Sequence, residues 1–249
     1  MFIYSPLEQF KILPIIPVEI FGVNVSFTNS SFVSILITLL ILQATYTLSN
    51  SRLLLANNFV WVMLKIDQFV ESIILSQIGK IGLKFKPLLL TIFLVILFSN
   101  FIGLIPYSFT ITSHPIITMG LSFSLWLGIT IMGILLQKFH FINIFIPSGV
   151  PTPFIPFVFT IEVISYLTRP VSLGLRLAAN MLAGHTLLNI ISFFIWQMYT
   201  AAGILLPLAL VSTVLLALLI VLELLIAFLQ TYVFTVLVAS YINDIYNHH

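Results

Sequence analysis

The chain has 249 residues, of which 60% are hydrophobic and only 6% charged, where soluble domains run near ~45–50% apolar and ~25% charged. Nine basic and seven acidic side chains cannot clothe a water-facing surface, so an ordinary soluble protein is excluded, and a mean hydropathy of +1.20 places the chain in lipid. A net charge of +2 without a basic tract argues against nucleic acid as a partner. The absence of cysteine excludes disulfides, thiolate metal sites, iron–sulfur clusters and cysteine nucleophiles.

Residues 1–26 hold three prolines and the polar Ser5, Glu8, Lys11, Glu19 and Asn24, which read as an irregular, partly interfacial N-terminal arm. No basic n-region with a cleavage site and no Arg-rich presequence is found there. Insertion is therefore expected to use the first span itself, or synthesis to occur in the compartment where the protein works. Phe27 to Leu48 is predicted as the first span, uncharged and long enough to cross ~30 Å of hydrocarbon, with Arg52 at its end.

From about residue 53 to 78 the pattern becomes amphipathic. Phe59, Val62, Met63, Ile66, Val70, Ile73 and Ile74 recur at helical spacing, with Asn58, Lys65, Gln68, Ser72 and Ser76 opposite. With Lys65, Asp67 and Glu71 inside it, this segment is expected to lie along the membrane surface; a docking face for a partner helix is the other reading.

Pro87 to Pro106 is the second predicted span and Ile116 to Gln137 the third, separated by the short polar turn PYSFTITSHP. Gly128 and Gly133 in the third read as helix-packing positions. Residues 139–158, with FIPSGVPTPFIPF, read as a proline-broken connection near the interface. Thr160 to Trp196 and Pro207 to Ile242 are the last two spans, and Pro170 is expected to kink or divide the former. At 1.5 Å per residue the last span is about 54 Å long, more than an upright crossing needs.

The expected fold is therefore an all-α polytopic membrane protein: a 1–26 arm followed by a single membrane domain over 27–249. That domain has about five transmembrane helices and one interfacial amphipathic helix, with a long, steeply tilted hairpin over about 160–245. Arg52, Lys65, Lys80, Lys84, Lys86 and Lys138 all fall on one side of the predicted spans, which puts the N-terminus outside and the C-terminus on the cytoplasmic or matrix side.

Charges inside these apolar runs are costly and so informative. On a helical wheel Glu162, Ser165, Arg169, Ser172 and Asn180 all fall within about 40° of Arg176, a narrow polar stripe, while His185 points about 180° away. In the last span Glu223, Gln230, Ser240 and Asp244 form a second seam. Antiparallel passage puts Glu162 and Asp244 toward one membrane face, and His185 and Glu223 deeper or toward the other. Arg176 stays protonated at any working pH, so it cannot relay protons, but it can repel them and attract a carboxylate. Glu162, Asp244, His185 and Glu223 can titrate. A permanent cation with titratable groups toward each face suits two half-pathways that must not join, and nothing in the chain carries a proton past Arg176, so an external partner with a mobile carboxylate is required. The competing reading pairs Arg176 with Glu162 or Glu223 to fix helix packing, but the stripe runs on beyond any single pair.

Other classes fit less well. A haem-bearing subunit needs paired axial ligands, and only His185 is central; His114 and His140 fall in turns, and His248 and His249 are terminal. A secondary ion-coupled transporter would be expected to show repeated halves, and none is found. Another respiratory-chain proton-channel subunit would be expected to carry an intramembrane lysine, and here the lysine-rich stretch is in a loop. Nucleotide-binding and hydrolase motifs are absent, and neither a cofactor nor a metal is expected.

The run SLGLRLAANMLAGH at 172–185 resembles the signature of the ATP synthase subunit a family. IEVISYLTRPVS before it, NFIGLIPYSF at 100–109, PSGVPTPF at 147–154, and the C-terminal LELLIAFLQTYVF and ASYINDIY extend the resemblance over most of the chain from about residue 50, in matching order and spacing. SPLEQF in the arm is similar to fungal mitochondrial members, in some of which a short leader is removed. The resemblance implies a non-enzymatic stator subunit that offers two offset half-channels to a rotating c-ring and couples proton flow to ATP synthesis. Arg176 would be the essential stator arginine. His185, Glu223 and Asn180 would face the intermembrane-space half-channel and Glu162 and Asp244 the matrix half-channel, with Gln230 neighbouring Arg176. The implied partners are the c-ring, peripheral-stalk and other membrane-sector subunits, the lipid bilayer, and protons as cargo. The implied location is the mitochondrial inner membrane, N-terminus in the intermembrane space and C-terminus in the matrix. Pro170 departs from the small residue the family pattern leads one to expect after Arg169.

Overall fold

A computed structural model of the chain describes residues 8–20, 23–24, 26–49, 58–105, 108–138, 141, 154–201 and 206–247. Arg52, Pro106, Tyr107, His140, His248, His249 and the stretch 142–153, with most of the PSGVPTPF motif, lie outside them. Six long helices follow in chain order: α1 Asn29–Ser49, α2 Asn58–Gln77, α3 Lys86–Gly103, α4 Pro115–Gln137, α5 Ile155–Ala201 and α6 Leu206–Asn247. Among the described residues, all of these but α2 form segments long and apolar enough to cross a membrane, five in number. The fold is all-α, as the composition and periodicity indicate.

The chain clusters into two units, the first made of Met1–Leu42, Val95–His114 and Leu177–Thr231, the second of Gln43–Leu94, Pro115–Arg176 and Tyr232–His249. In the first, the N-terminal arm is more ordered than its composition suggests. Strands β1 Pro14–Ile16 and β4 Phe27–Thr28 pair antiparallel, and β2 Glu19–Ile20 pairs with β3 Val23–Asn24. Thr28 and Ser31 then start α1 by a reciprocal cap: the Thr28 amide donates to Ser31 Oγ at 2.8 Å and the Ser31 amide to Thr28 Oγ1 at 3.4 Å. Val33 and Ile37 of α1 bury against Phe109 and Ile111, with Ile41, Phe98 and Ile102 packed around them. Asn100, fully buried on α3, donates to the Ala227 carbonyl of α6 at 3.3 Å.

In the second unit the seam of α2 consists of Val60, Met63, Val70, Ile73 and Ile74. The expected stripe through Phe59 and Val62 is thus corrected by a small rotation, which leaves Val62 exposed. The rotated seam carries Asp67 toward Lys86, whose Nζ lies 2.8 Å from Asp67 and 2.7 Å from Glu71. Phe69 meets Phe93 of α3 and Tyr232 of α6, so much of the amphipathic face is used within the chain. Gly79, at φ +82°, ends α2 and admits the turn into the 3-10 segment Lys80–Phe85. A Cβ on Gly133 would come within 2.8 Å of Phe141 and 3.0 Å of Ile245, so Gly133 is a packing position; Gly128 has nothing within 4 Å among the described residues, and its expected packing role is not seen.

Helices α5 and α6 are 47 and 42 residues long, or about 70 and 63 Å at helical rise. Both outrun the predicted spans. Pro170 lies inside α5 without dividing it.

Candidate functional site

The polar stripe of α5 and the seam of α6 meet in two places, one in each unit. In the second unit, Arg169 joins both helices: its guanidinium donates through Nη2 to Glu162 Oε1 at 3.3 Å and through Nη1 to Asp244 Oδ2 at 3.0 Å. The same guanidinium lies 5.6 Å from the ring centre of Tyr166 and 5.3 Å from that of Tyr241, a cation flanked by two aromatic rings. Tyr166 is anchored in turn by a 2.7 Å hydrogen bond shared with Thr130 of α4, and Gln137 of α4 donates to the Ile245 carbonyl. These contacts bring Glu162 and Asp244 to one place, as antiparallel passage requires.

Arg176 is exposed on α5 and makes no ion pair among the described residues. The packing alternative, in which it would pair with Glu162 or Glu223, is therefore not what the structure adopts; Glu162 is taken by Arg169. A guanidinium on an apolar helix with no acid of its own is a charge directed outward from the chain.

In the first unit the arrangement is the reverse. Glu223 on α6 is only 6% exposed, and His185 on α5 places Nε2 3.8 Å from its Oε1. Both Glu223 carboxyl oxygens and His185 Nε2 are buried without a hydrogen-bond partner among the described residues. A buried polar group without a partner is expensive, and such groups concentrate where they do chemistry. Asn180, Glu223 and Gln230 line one cavity of about 240 Å³, whose other walls are mostly Leu, Ile, Ala and Met side chains. Three polar side chains in an apolar chamber provide hydrogen-bonding stations of the kind a proton path needs.

Two residues of this geometry are not evident from sequence. Arg169 appears on the wheel only as a member of the stripe, although its spacing of seven from Glu162 is the signal that the two share a face. Gly184 gives no signal at all, yet a Cβ there would lie 2.6 Å from Glu223 Oε1. Its missing side chain is what lets the carboxyl group approach α5. Among the described residues no cluster of metal-ligating side chains is found.

Comparison with known proteins identifies the family of the chain. The family model for the ATP synthase A chain matches residues 30–243. The chain is 45% identical over 249 residues to ATP synthase subunit a of Marchantia polymorpha, covering 98% of this chain and 99% of the relative. It is 43% identical over 247 residues to ATP synthase subunit a of Chondrus crispus, with 99% and 98% covered. A bacterial relative, ATP synthase subunit a of Rhodospirillum rubrum, is 38% identical over 246 residues, with 99% and 100% covered.

Proposed function

The chain belongs to the ATP synthase A chain family, and we propose from that premise that α5 and α6 offer protons two half-paths kept apart by Arg176. It is a non-catalytic membrane-sector subunit of F-type ATP synthase, the proton-translocating stator. The observation that carries the finer reading is the unpaired Arg176: in chain order it stands between the Glu162–Arg169 pair and the Asn180–His185 segment.

On one half-path, protons reach His185, Glu223 and Asn180. A proton leaving His185 Nε2 for a Glu223 oxygen crosses 3.8 Å, a gap closed by a small side-chain rotation or by one bridging water. It then neutralises a carboxylate on the rotating c-ring, which can face lipid only when uncharged. On the other half-path the c-ring carboxylate gives up its proton toward Glu162 and Asp244. Arg176, which cannot lose its own proton, attracts the ionised c-ring carboxylate and bars direct leakage between the paths, and Gln230 adds a polar station in the cavity that Asn180 and Glu223 line. The whole of 27–249 acts as one membrane domain in this scheme, with the c-ring, peripheral-stalk and other membrane-sector subunits as its partners.

Within the family we read the chain as a mitochondrial member of fungal type, in the inner membrane with its N-terminus in the intermembrane space and its C-terminus in the matrix. SPLEQF at 5–10 supports that reading. The test of the scheme is Arg176→Ala in the assembled complex. It is expected to abolish proton-coupled ATP synthesis, and retained coupling would refute it. Co-isolation of the chain with a c-ring and a soluble ATPase head separates this reading from a free-standing transporter.

A further inference from the structure

The three-residue turn Glu8–Phe10 lies against α5 within the first unit. Phe10 meets the His185 ring in a T-shaped contact, centroids 6.4 Å apart and planes at 84°. Gln9 Oε1 accepts a hydrogen bond of 2.7 Å from Asn189 Nδ2. Asn189 follows His185 by four residues, one turn along the same face of α5. The arm is also tied down beyond this turn. Asn29, at the start of α1, donates through Nδ2 to the Lys11 carbonyl at 3.1 Å, and its Oδ1 accepts from the Leu13 amide at 3.2 Å. The Asn29 amide donates to the Leu13 carbonyl at 3.1 Å. A short segment fastened to α1 at one end and to α5 at the other thus holds an aromatic ring against the imidazole.

The imidazole needs such a support. Glu223, at 3.8 Å, makes no hydrogen bond that would fix Nε2. The plane of the ring must then be set by packing, and an aromatic neighbour at nearly a right angle limits its rotation.

We propose that Phe10 and Gln9 are positioning residues for proton transfer at His185: Phe10 sets the ring plane that aims Nε2 at Glu223, and the Gln9–Asn189 bond holds Phe10 in place. The proposal rests on the reading of His185 and Glu223 as a proton-handling pair. Its test uses the assembled complex, stripped of its soluble head, in liposomes under an imposed membrane potential. Passive proton conductance is measured in H2O and in D2O, alongside the amount of complex assembled.

Phe10→Ala should assemble normally and conduct about 2- to 10-fold less, with a larger H2O/D2O ratio because transfer at His185 has become the slow step. Phe10→Tyr should restore both values. Gln9→Ala and Asn189→Ala should each give a smaller loss, and the double variant should be no worse than either single one. Wild-type conductance in Phe10→Ala overturns the proposal, as does a loss that only follows the assembled amount with an unchanged isotope ratio. If Phe10→Ala does not assemble, Gln9→Ala, whose side chain is exposed, decides by the same two readouts. Glu223→Gln in the same vesicles tells the two failures apart. Normal conductance there removes the His185–Glu223 reading and this proposal with it; impaired conductance there beside a normal Phe10→Ala removes the positioning role alone.

Discussion

The two carboxylate sites of α5 and α6 differ in the opposite sense to their burial. Glu162 and Asp244, with side chains 36% and 40% exposed, share a permanent cation, Arg169, at 3.3 and 3.0 Å. Glu223, whose side chain is 8% exposed, has no permanent cation beside it among the described residues and meets the titratable His185 at 3.8 Å. If stability alone governed placement, the most buried acid would be the best paired, because unpaired buried charge is the most costly. Under the proposed half-path scheme the reversal has a reason: the first-unit site is left open for exchange, whereas Arg169 holds the second-unit acids in a set geometry. An acid locked to an arginine is oriented; an acid left beside a histidine has a neighbour able to hand it a proton.

The largest expected effect separates the two sites directly. Glu223→Gln keeps shape and removes the titratable group, and should lower passive proton conductance by about 100-fold or more without preventing assembly. Conductance at the wild-type level would erase the contrast. Next in size is Gly184→Ala, whose methyl group must displace the Glu223 carboxyl from 2.6 Å. Overpacking of this kind costs about 1–3 kcal/mol, and conductance should fall about tenfold because a carboxyl moved by ~1 Å no longer receives its proton in line. An unchanged rate in a fully assembled complex would show that the close approach has no bearing on transfer. The smallest effect is expected from Arg169→Lys, which keeps the charge but loses the planar fork that reaches Glu162 and Asp244 together. Thermal stability of the membrane sector should fall modestly, with conductance reduced by no more than about threefold, since exposed pairs are worth little individually. A loss as large as that of Glu223→Gln would make the two sites equivalent.

Much of this fold can be read from residue order because lipid demands long uninterrupted helices, and their apolar runs are conspicuous. The differences fall at helix ends, and at the start of α5 a proline conceals the boundary. Pro156 looks like part of a broken connection, yet it is the second residue of α5, where proline lacks only a hydrogen that has no acceptor there. The helix accordingly starts at Ile155, five residues before the Thr160 that its composition suggests. The polar stripe of α5 was legible because a wheel gives directions. Partners were not, since a wheel cannot tell whether Arg169 or Arg176 reaches Asp244. Gly184 was silent for lack of a side chain, and the contact of Phe10 with His185 spans more of the sequence than any local pattern covers.

Pro170 has a mechanical consequence. It has no amide hydrogen, so the carbonyl of Tyr166, one turn earlier, is deprived of its helical donor within an otherwise unbroken α5. A rod about 70 Å long with one missing rung is not uniformly stiff, and its compliance is concentrated at the turn that carries Arg169. Flexure between Tyr166 and Pro170 would shift Arg169 against Asp244, so the ion pairs of Arg169 and the two rings flanking it brace α5 at the turn where its ladder is interrupted.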